Sequence, residues 1–429
     1  MKRLIPFFVF LLTVNFLYAD LLYDITDGKF RPKRFDPPRS MNDGENYTLS
    51  VRDKAVVKYN YKTGATVDTI FSTAQIKNCP IKSFSGYELS PNEMKMLVYT
   101  NVKYRYRRTF TADYYVYDLK RKTLEPLSED GAQEVPLFSP DSRYIAFARA
   151  NNLYMKKLDF NTEISITKDG EAGKIINGTP DWVYEEEFEA TRHFCWSPDS
   201  KLLAYIKFNE TDIPEFSFQL YKNQSDPDEI ELYPGFLKFK YPKAGQNNSK
   251  VSVCVYDDFN KTTRFVKLPE TDKDFYIPRI RWTNAQDQLA VFKLNRNQNV
   301  LDMFLANPGS GVAKLILRQE DKYYVNYEYI DNIQFTSDNQ FFFGTSEQDG
   351  YHHIYQYRIN GTVVKQITKG NWDVTEFYGY DEVKKMLYYQ SAESSPMKRD
   401  VYSVDAKGKK IRLSNGKGTH QAYFNSSLT

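Results

Sequence analysis

The sequence predicts an all-β fold, a β-propeller. Three observations carry that prediction: an aromatic-rich composition, a recurring Ser/Thr-Pro/Asx turn, and short strands repeating in fours around it. Of the 429 residues 16% are aromatic, with 34 Tyr and 30 Phe. Aromatic side chains fit a pleated, half-buried surface, so the composition leans towards strands. Hydrophobic residues make up 41% and charged residues 26%, the balance of a folded chain with a real core.

The turn recurs at Glu88–Leu89–Ser90–Pro91–Asn92, Leu137–Phe138–Ser139–Pro140–Asp141 and Cys195–Trp196–Ser197–Pro198–Asp199. Looser copies are Arg281–Trp282–Thr283–Asn284 and Gln334–Phe335–Thr336–Ser337–Asp338. Proline fixes φ and Asp or Asn bonds its own backbone, so the strand before it must stop there. A second apolar strand follows, such as Tyr144–Ile145–Ala146–Phe147, and a third ends in Asp, as in Tyr115–Val116–Tyr117–Asp118. A fourth closes on Leu-Ser or Ile-Thr, at Leu127–Ser128, Ile166–Thr167, Ile367–Thr368 and Leu413–Ser414. A helical solenoid would need apolar residues at helical spacing, and none recur that way. Blades are expected at roughly 40–75, 84–128, 134–168, 190–268, 277–318, 330–369 and 374–414. An eighth begins at Thr419–His420–Gln421–Ala422–Tyr423–Phe424. The expectation is that the chain stops inside that blade, since a ring closed with strands missing would leave exposed edges.

The N-terminus reads differently. Lys2 and Arg3 precede an apolar run from Leu4 to Tyr18, and Ala19 follows. That is the order of a secretory signal, and the run is short of the roughly 20 residues of a membrane span. The expected organisation is a signal at 1–19, a linker at 20–39 and the propeller at 40–429. The chain would then be exported: periplasmic, secreted, or membrane-anchored by an uncleaved signal. Net charge is +3 without a basic block, so no nucleic-acid partner is expected. Cys79, Cys195 and Cys254 lack disulfide or metal spacing, and the last two lie in strand-like runs as small buried hydrophobes.

Two places break the repeat: Gly178 to Ala190, read as lying between the third and fourth blades, and about Asn209 to Lys250, inside the fourth. Loops this long in a compact fold are functional or disordered. The first contains Asp181–Trp182–Val183–Tyr184–Glu185–Glu186–Glu187–Phe188. Three consecutive carboxylates, taken alone, read as a solvated face. The flanking Trp182, Tyr184 and Phe188 should anchor the segment, so that some of the glutamates are held in place. Neighbouring glutamates converge on one cation only from a helical turn or an irregular loop, because strand neighbours point to opposite faces. A primary ammonium, with three donors and no acceptor, suits such a pair.

The string Asp181–Trp182–Val183–Tyr184–Glu185–Glu186–Glu187 resembles the glutamate motif of the dipeptidyl peptidase IV family of serine peptidases. Tyr106–Arg107–Arg108–Thr109–Phe110–Thr111–Ala112, with Tyr117–Asp118–Leu119, is similar to that family's second-blade segment. Tyr241–Pro242–Lys243–Ala244–Gly245 is similar to its propeller arm. The resemblance runs from about residue 40 to the end, with the motifs in family order. It implies an eight-bladed propeller that packs on an α/β-hydrolase domain and a reaction that releases Xaa-Pro or Xaa-Ala dipeptides from peptide N-termini. It further implies that Glu186 and Glu187 clamp the substrate α-ammonium. Arg107 would hold a substrate carbonyl and help fix the glutamates, and Arg108 takes that place if the register slips by one. Without the family, Arg107 reads as a surface arginine in the cluster Arg105, Arg107 and Arg108. The 209–250 arm would support a homodimer; otherwise it is a polar insert.

The sequence departs from the family in one respect. No G-x-S-x-G elbow occurs, and Gly309–Ser310–Gly311 is too short, reading as a hairpin turn. His193, His352, His353 and His420 are the four histidines, and none has metal-site spacing. No catalytic residue, metal or cofactor is therefore expected in this chain, which should be inactive alone and partnered by the missing α/β-hydrolase domain. Two rival readings stand beside this one: a stand-alone peptide-binding or scaffold propeller, and a two-chain enzyme.

Overall fold

A computed structural model describes residues 21–31, 36–221, 233–269 and 274–428. The signal expected at 1–19 and the 222–232 stretch of the arm lie outside these. The chain divides into two compact units, Met1–Arg39 and Ser40–Thr429. In the first, residues 21–26 are helical. No helix among the described residues is long and apolar enough to cross a membrane.

Among its described residues the second unit holds seven antiparallel sheets, the blades of a propeller, plus a separate two-stranded hairpin. Within this unit the blades span 40–72, 86–126, 134–165, 175–265, 275–320, 334–366 and 374–412. In the four-stranded sheets consecutive strands are neighbours, as in a meander. In the third blade, for example, Tyr144–Arg149 pairs with Asn152–Lys157 across Ala150 and Asn151. Both linking residues have positive φ, 48° and 62°, the twist that a two-residue hairpin requires.

The repeated turn has one chemistry in four blades. The Ser139 hydroxyl donates to Asp141 Oδ1 at 2.6 Å and accepts from the Tyr144 N–H at 2.9 Å. Ser197 with Asp199 and Leu202, Ser90 with Asn92 and Lys95, and Thr336 with Asp338 and Phe341 repeat the pattern. The same turns fasten neighbouring blades. The Asn92 N–H donates to Ser142 Oγ at 3.1 Å and the Asp141 N–H to Ser200 Oγ at 3.0 Å. Between the sixth and seventh blades Ser337 donates its N–H and hydroxyl to Glu382.

The core lies between blades rather than in one central mass. Val56 and Phe71 of the first blade pack with Tyr87 and Met96 of the second. Leu153 and Met155 of the third pack with Phe194, Trp196 and Leu203 of the fourth. Burying each such side chain stabilises by about 1.5–3 kcal/mol, so stability is distributed around the ring. Cys79, Cys195 and Cys254 are free thiols, Cys254 fully buried and the other two partly so.

The fourth blade corrects one expectation. The break from Gly178 to Ala190 is not between blades but inside this blade's innermost strand. Ile175–Asn177 and Phe194–Trp196 both pair with the same edge of Leu202–Asn209, one beyond the other. Between them the chain leaves the sheet and returns. Gly178 N–H donates to Ile206 O at 2.9 Å, while His193 N–H donates to Gly178 O at 2.8 Å and closes the neck. The second break forms the hairpin Glu215–Leu220 with Gly235–Lys240, which pairs with no blade.

Beyond the seventh blade the chain runs along that blade's strands and ends against the first. Phe424 packs on Tyr378 and Tyr388, with ring centroids 5.2 and 4.8 Å apart. The Ser426 N–H then donates to Ser40 Oγ at 2.8 Å, and the Ser426 hydroxyl to Met41 O at 2.7 Å.

Candidate functional site

The excursion from the fourth blade is the helix Trp182–Phe188, seven residues long. A helix this short is not stable on propensity alone. Asp181 caps it: one carboxylate oxygen accepts from the Tyr184 N–H at 2.9 Å, the other from the Ser249 hydroxyl at 2.6 Å. Glu189 ends it in the left-handed region, φ 51°. Tyr184 and Phe188 are buried. The Tyr184 hydroxyl accepts from the Ile277 N–H of the fifth blade at 2.8 Å, and its ring meets Phe208 and His193 edge-on. Burial pushes His193 down to about 3, so its imidazole stays neutral here.

The three glutamates take three different places. Glu185 is fully buried. Its Oε1 accepts from the backbone N–H groups of Arg108 and Thr109, the latter at 2.8 Å, and its Oε2 accepts from the Thr109 hydroxyl. It therefore ties the helix to the tip of the Lys95–Tyr104/Phe110–Asp118 hairpin in the second blade. Glu186 faces outward, with Oε2 3.1 Å from Nε of Arg107. Its side chain is 17% exposed, that of Arg107 73%. Glu187 is exposed and borders a cavity of about 180 Å³ that also meets Lys243, Asn248, Tyr276 and Arg296. Among the described residues Glu187 has no hydrogen-bond or ion-pair partner.

The residue pattern by itself does not separate these roles, because three identical residues in a row carry no label; in the sequence only the family resemblance singles out Glu186 and Glu187. Helical geometry separates them: successive residues lie about 100° apart, so one of three must turn inward. Of the two competing arginines, Arg107 takes Glu186, whereas Arg108 donates to Glu189 Oε1 at 2.6 Å and to the backbone carbonyl of Glu185 at 3.3 Å. An ion pair as open as Arg107–Glu186 contributes about 0–1 kcal/mol to folding. Glu185, buried and hydrogen-bonded, does the structural holding, while Glu186 pairs with Arg107 and Glu187 is exposed.

Beneath the helix the charge is dense. Arg105 donates to Pro180 O at 3.2 Å and lies 3.6 Å from Glu134 Oε2. Burial raises the carboxyl of Glu134, with Arg105 opposing it, and burial also raises that of Asp181. Glu210, at the root of the arm, is pushed up to about 7, first by burial and then by Asp181, against Lys240 and Arg105. Sequence reading missed this group, since its members are scattered along the chain and only the fold assembles them.

The arm reaches the same helix. Trp182 and Tyr241 have ring centroids 4.1 Å apart, and Phe239 lies 6.2 Å from Trp182. On the arm's hairpin Phe218, Leu220, Phe236 and Leu237 are exposed.

Comparison with known proteins agrees with this architecture. Residues 90–429 match the family model for the dipeptidyl peptidase IV N-terminal region. A probable dipeptidyl-aminopeptidase B of Aspergillus niger is 31% identical over 345 residues, 75% of this chain and 38% of that protein. Dipeptidyl peptidase 4 of Trichophyton rubrum is 30% identical over 400 residues, 91% of this chain and 50% of that one. The crystal structure of Porphyromonas gingivalis dipeptidyl peptidase 4 superposes with a TM-score of 0.89 at 43% identity, covering 95% of this chain and 57% of that one. A putative dipeptidyl aminopeptidase IV from Bacteroides ovatus, at 20% identity and a TM-score of 0.63, shares the fold. The chain thus spans about half, or less, of the curated relatives it matches. It belongs to the dipeptidyl peptidase IV family, of which it carries the N-terminal propeller region.

Proposed function

We propose that this chain is the substrate-recognition and gating propeller of an exported dipeptidyl peptidase IV-like serine peptidase, which releases Xaa-Pro or Xaa-Ala dipeptides from peptide N-termini. Glu186 and Glu187 receive the substrate's α-ammonium, and Arg107 holds a substrate carbonyl while orienting Glu186. The observation that carries this reading is the division of labour on the helix. Glu185 fixes the element from inside, so the next two carboxylates are presented on a short, fastened support.

The chemistry follows from that support. An α-amino group is largely protonated below its ordinary pKa near 8, and the ammonium offers three donors to carboxylate acceptors. A clamp at a fixed place on the propeller measures the distance from the peptide's first residue to the bond to be cut. The nucleophile and its base would come from the α/β-hydrolase partner domain. The exposed apolar residues of the arm supply a surface on which a second copy could pair.

Binding of Gly-Pro-Ala tripeptide to the 429-residue chain tests this, with N-acetyl-Gly-Pro-Ala as comparison. The free peptide should bind more tightly. Glu186→Gln with Glu187→Gln should abolish the difference, a loss of roughly tenfold or more for charge-assisted hydrogen bonds. Equal binding of the two peptides by the unaltered chain would refute the ammonium clamp. A Gly-Pro chromogenic substrate, offered with a separately expressed hydrolase domain of a relative, then tests the place of the propeller in catalysis. Hydrolysis by this chain alone would overturn the assignment of the chemistry to that domain.

A further inference from the structure

We propose that Phe239, on the second strand of the arm hairpin, is a positioning residue that sets the Arg107–Glu186 pair. The inference rests on the ammonium-clamp reading and extends it to a residue outside the clamp.

Arg107 and Glu186 come from different blades, so their separation is fixed only if both supporting segments are fixed. Phe239 touches both. Its ring centroid lies 5.8 Å from that of Tyr106, the residue before Arg107. It lies 6.2 Å from that of Trp182, the first residue of the helix. Trp182 and Glu186 are four residues apart on that helix and so share a face, one turn above the other. Phe239 is thus a wedge between the chain beside the arginine and the turn below the glutamate.

The wedge is itself braced. Phe218 stacks on Phe239 at 5.7 Å with rings 22° apart, and Tyr241 meets it edge-on at 5.9 Å. At the arm's root the Tyr241 N–H donates to Pro214 O, and Lys240 Nζ to Ile213 O, each at 2.9 Å. The buried face of the helix is held by Tyr184 and Phe188, and Glu185 binds the backbone N–H groups of Arg108 and Thr109. Loss of Phe239 therefore leaves the helix in the ring and removes the ring that backs both Tyr106 and Trp182, so the side chains of Arg107 and Glu186 lose their common support.

The test is calorimetric titration of Gly-Pro-Ala tripeptide into the full chain and its variants. Phe239→Ala should weaken binding about tenfold or more, the scale set by small misplacements of a binding group. Phe239→Tyr, which keeps the ring, should restore affinity. Lys238→Ala, an exposed neighbour on the same strand, should leave it unchanged. Because Phe239 acts through Glu186, adding Phe239→Ala to Glu186→Gln should cause no further loss. Wild-type affinity in Phe239→Ala, or a full extra loss on the Glu186→Gln background, would overturn the inference. If Phe239→Ala fails to fold, Phe239→Leu keeps the bulk without the ring and is judged by the same two outcomes. Wild-type affinity in Glu186→Gln would instead sink the clamp itself, whatever Phe239 does.

Discussion

Thr109 and Glu185 are joined twice: the Thr109 N–H donates to Glu185 Oε1 at 2.8 Å, and its hydroxyl to Oε2. Both residues are buried, Thr109 to 1% and Glu185 to 0% exposure. A carboxylate in that position depends on every donor it has, because burying an unpaired charge is far more costly than losing one hydrogen bond from the surface.

Thr109→Val keeps the shape of the side chain and removes the hydroxyl. One oxygen of a buried carboxylate is then left without a donor, which should cost about 1.5–3 kcal/mol. The expected result is a lower urea midpoint with an unchanged slope, together with weaker binding of a free-amine peptide. Thr109→Ser, which keeps the hydroxyl, should lose much less. Loss in Thr109→Ser with none in Thr109→Val would mean that the γ-methyl packing, not the hydroxyl, holds the helix.

Gly178 governs the neck of the same excursion. Its φ is +78°, and a Cβ there would lie 2.6 Å from Cδ2 of the fully buried Leu153. Gly178→Ala therefore combines a left-handed backbone with an overpacked core contact, a cost of about 2–4 kcal/mol. Hydrogen exchange should show early loss of protection at Ile206 and His193, whose N–H groups lie in or beside the neck. Wild-type stability in Gly178→Ala would show that the neck opens without effect on the blade.

What the sequence made legible follows from where the information is local. Ser-Pro-Asp spells a turn by itself, because the serine, the proline and the aspartate act within five residues of one another. Five of the seven blades could be placed from copies of that turn, and the other two from the strand repeat. The inner strand of the fourth blade could not, since Ile175–Asn177 is three residues long and carries no alternation. The helix was open to reading only as one of two conformations in which neighbouring glutamates converge. Glu185 as the inward member, and Phe239 as a contact of both Tyr106 and Trp182, depend on pairings far apart in the chain. No local pattern announces those.

The blade-to-blade hydrogen bonds of the repeated turn make a separable contribution. Ser142 Oγ accepts from Asn92 N–H and Ser200 Oγ from Asp141 N–H, at two different interfaces. Each serine changed to alanine should cost about 0.5–1.5 kcal/mol, and the double variant should lose close to the sum. Denaturant titration of the two single variants and the double measures this. A double variant no less stable than either single one would mean that the blades do not rely on these turns for their alignment.

The last prediction concerns pH and Glu210. Its carboxyl is raised from the ordinary 4.5 to about 7, first by burial and next by Asp181, while Lys240 and Arg105 pull it down. The folded chain therefore holds this proton more tightly than the unfolded chain does. Stability from the group is full below about 4.5 and is lost as pH rises through about 7. Glu134 and Asp181, also raised by burial, act in the same direction within the same cluster. Glu210→Gln fixes the neutral form, so the variant should gain on the wild type between pH 5.5 and pH 8. Urea unfolding of both proteins at the two pH values measures that gain. Tyr106 shares the cluster, but burial holds its hydroxyl at about 12, out of this range. An identical difference between variant and wild type at both pH values would place Glu210 among ordinary surface carboxylates, and the arm's root would carry no proton between them.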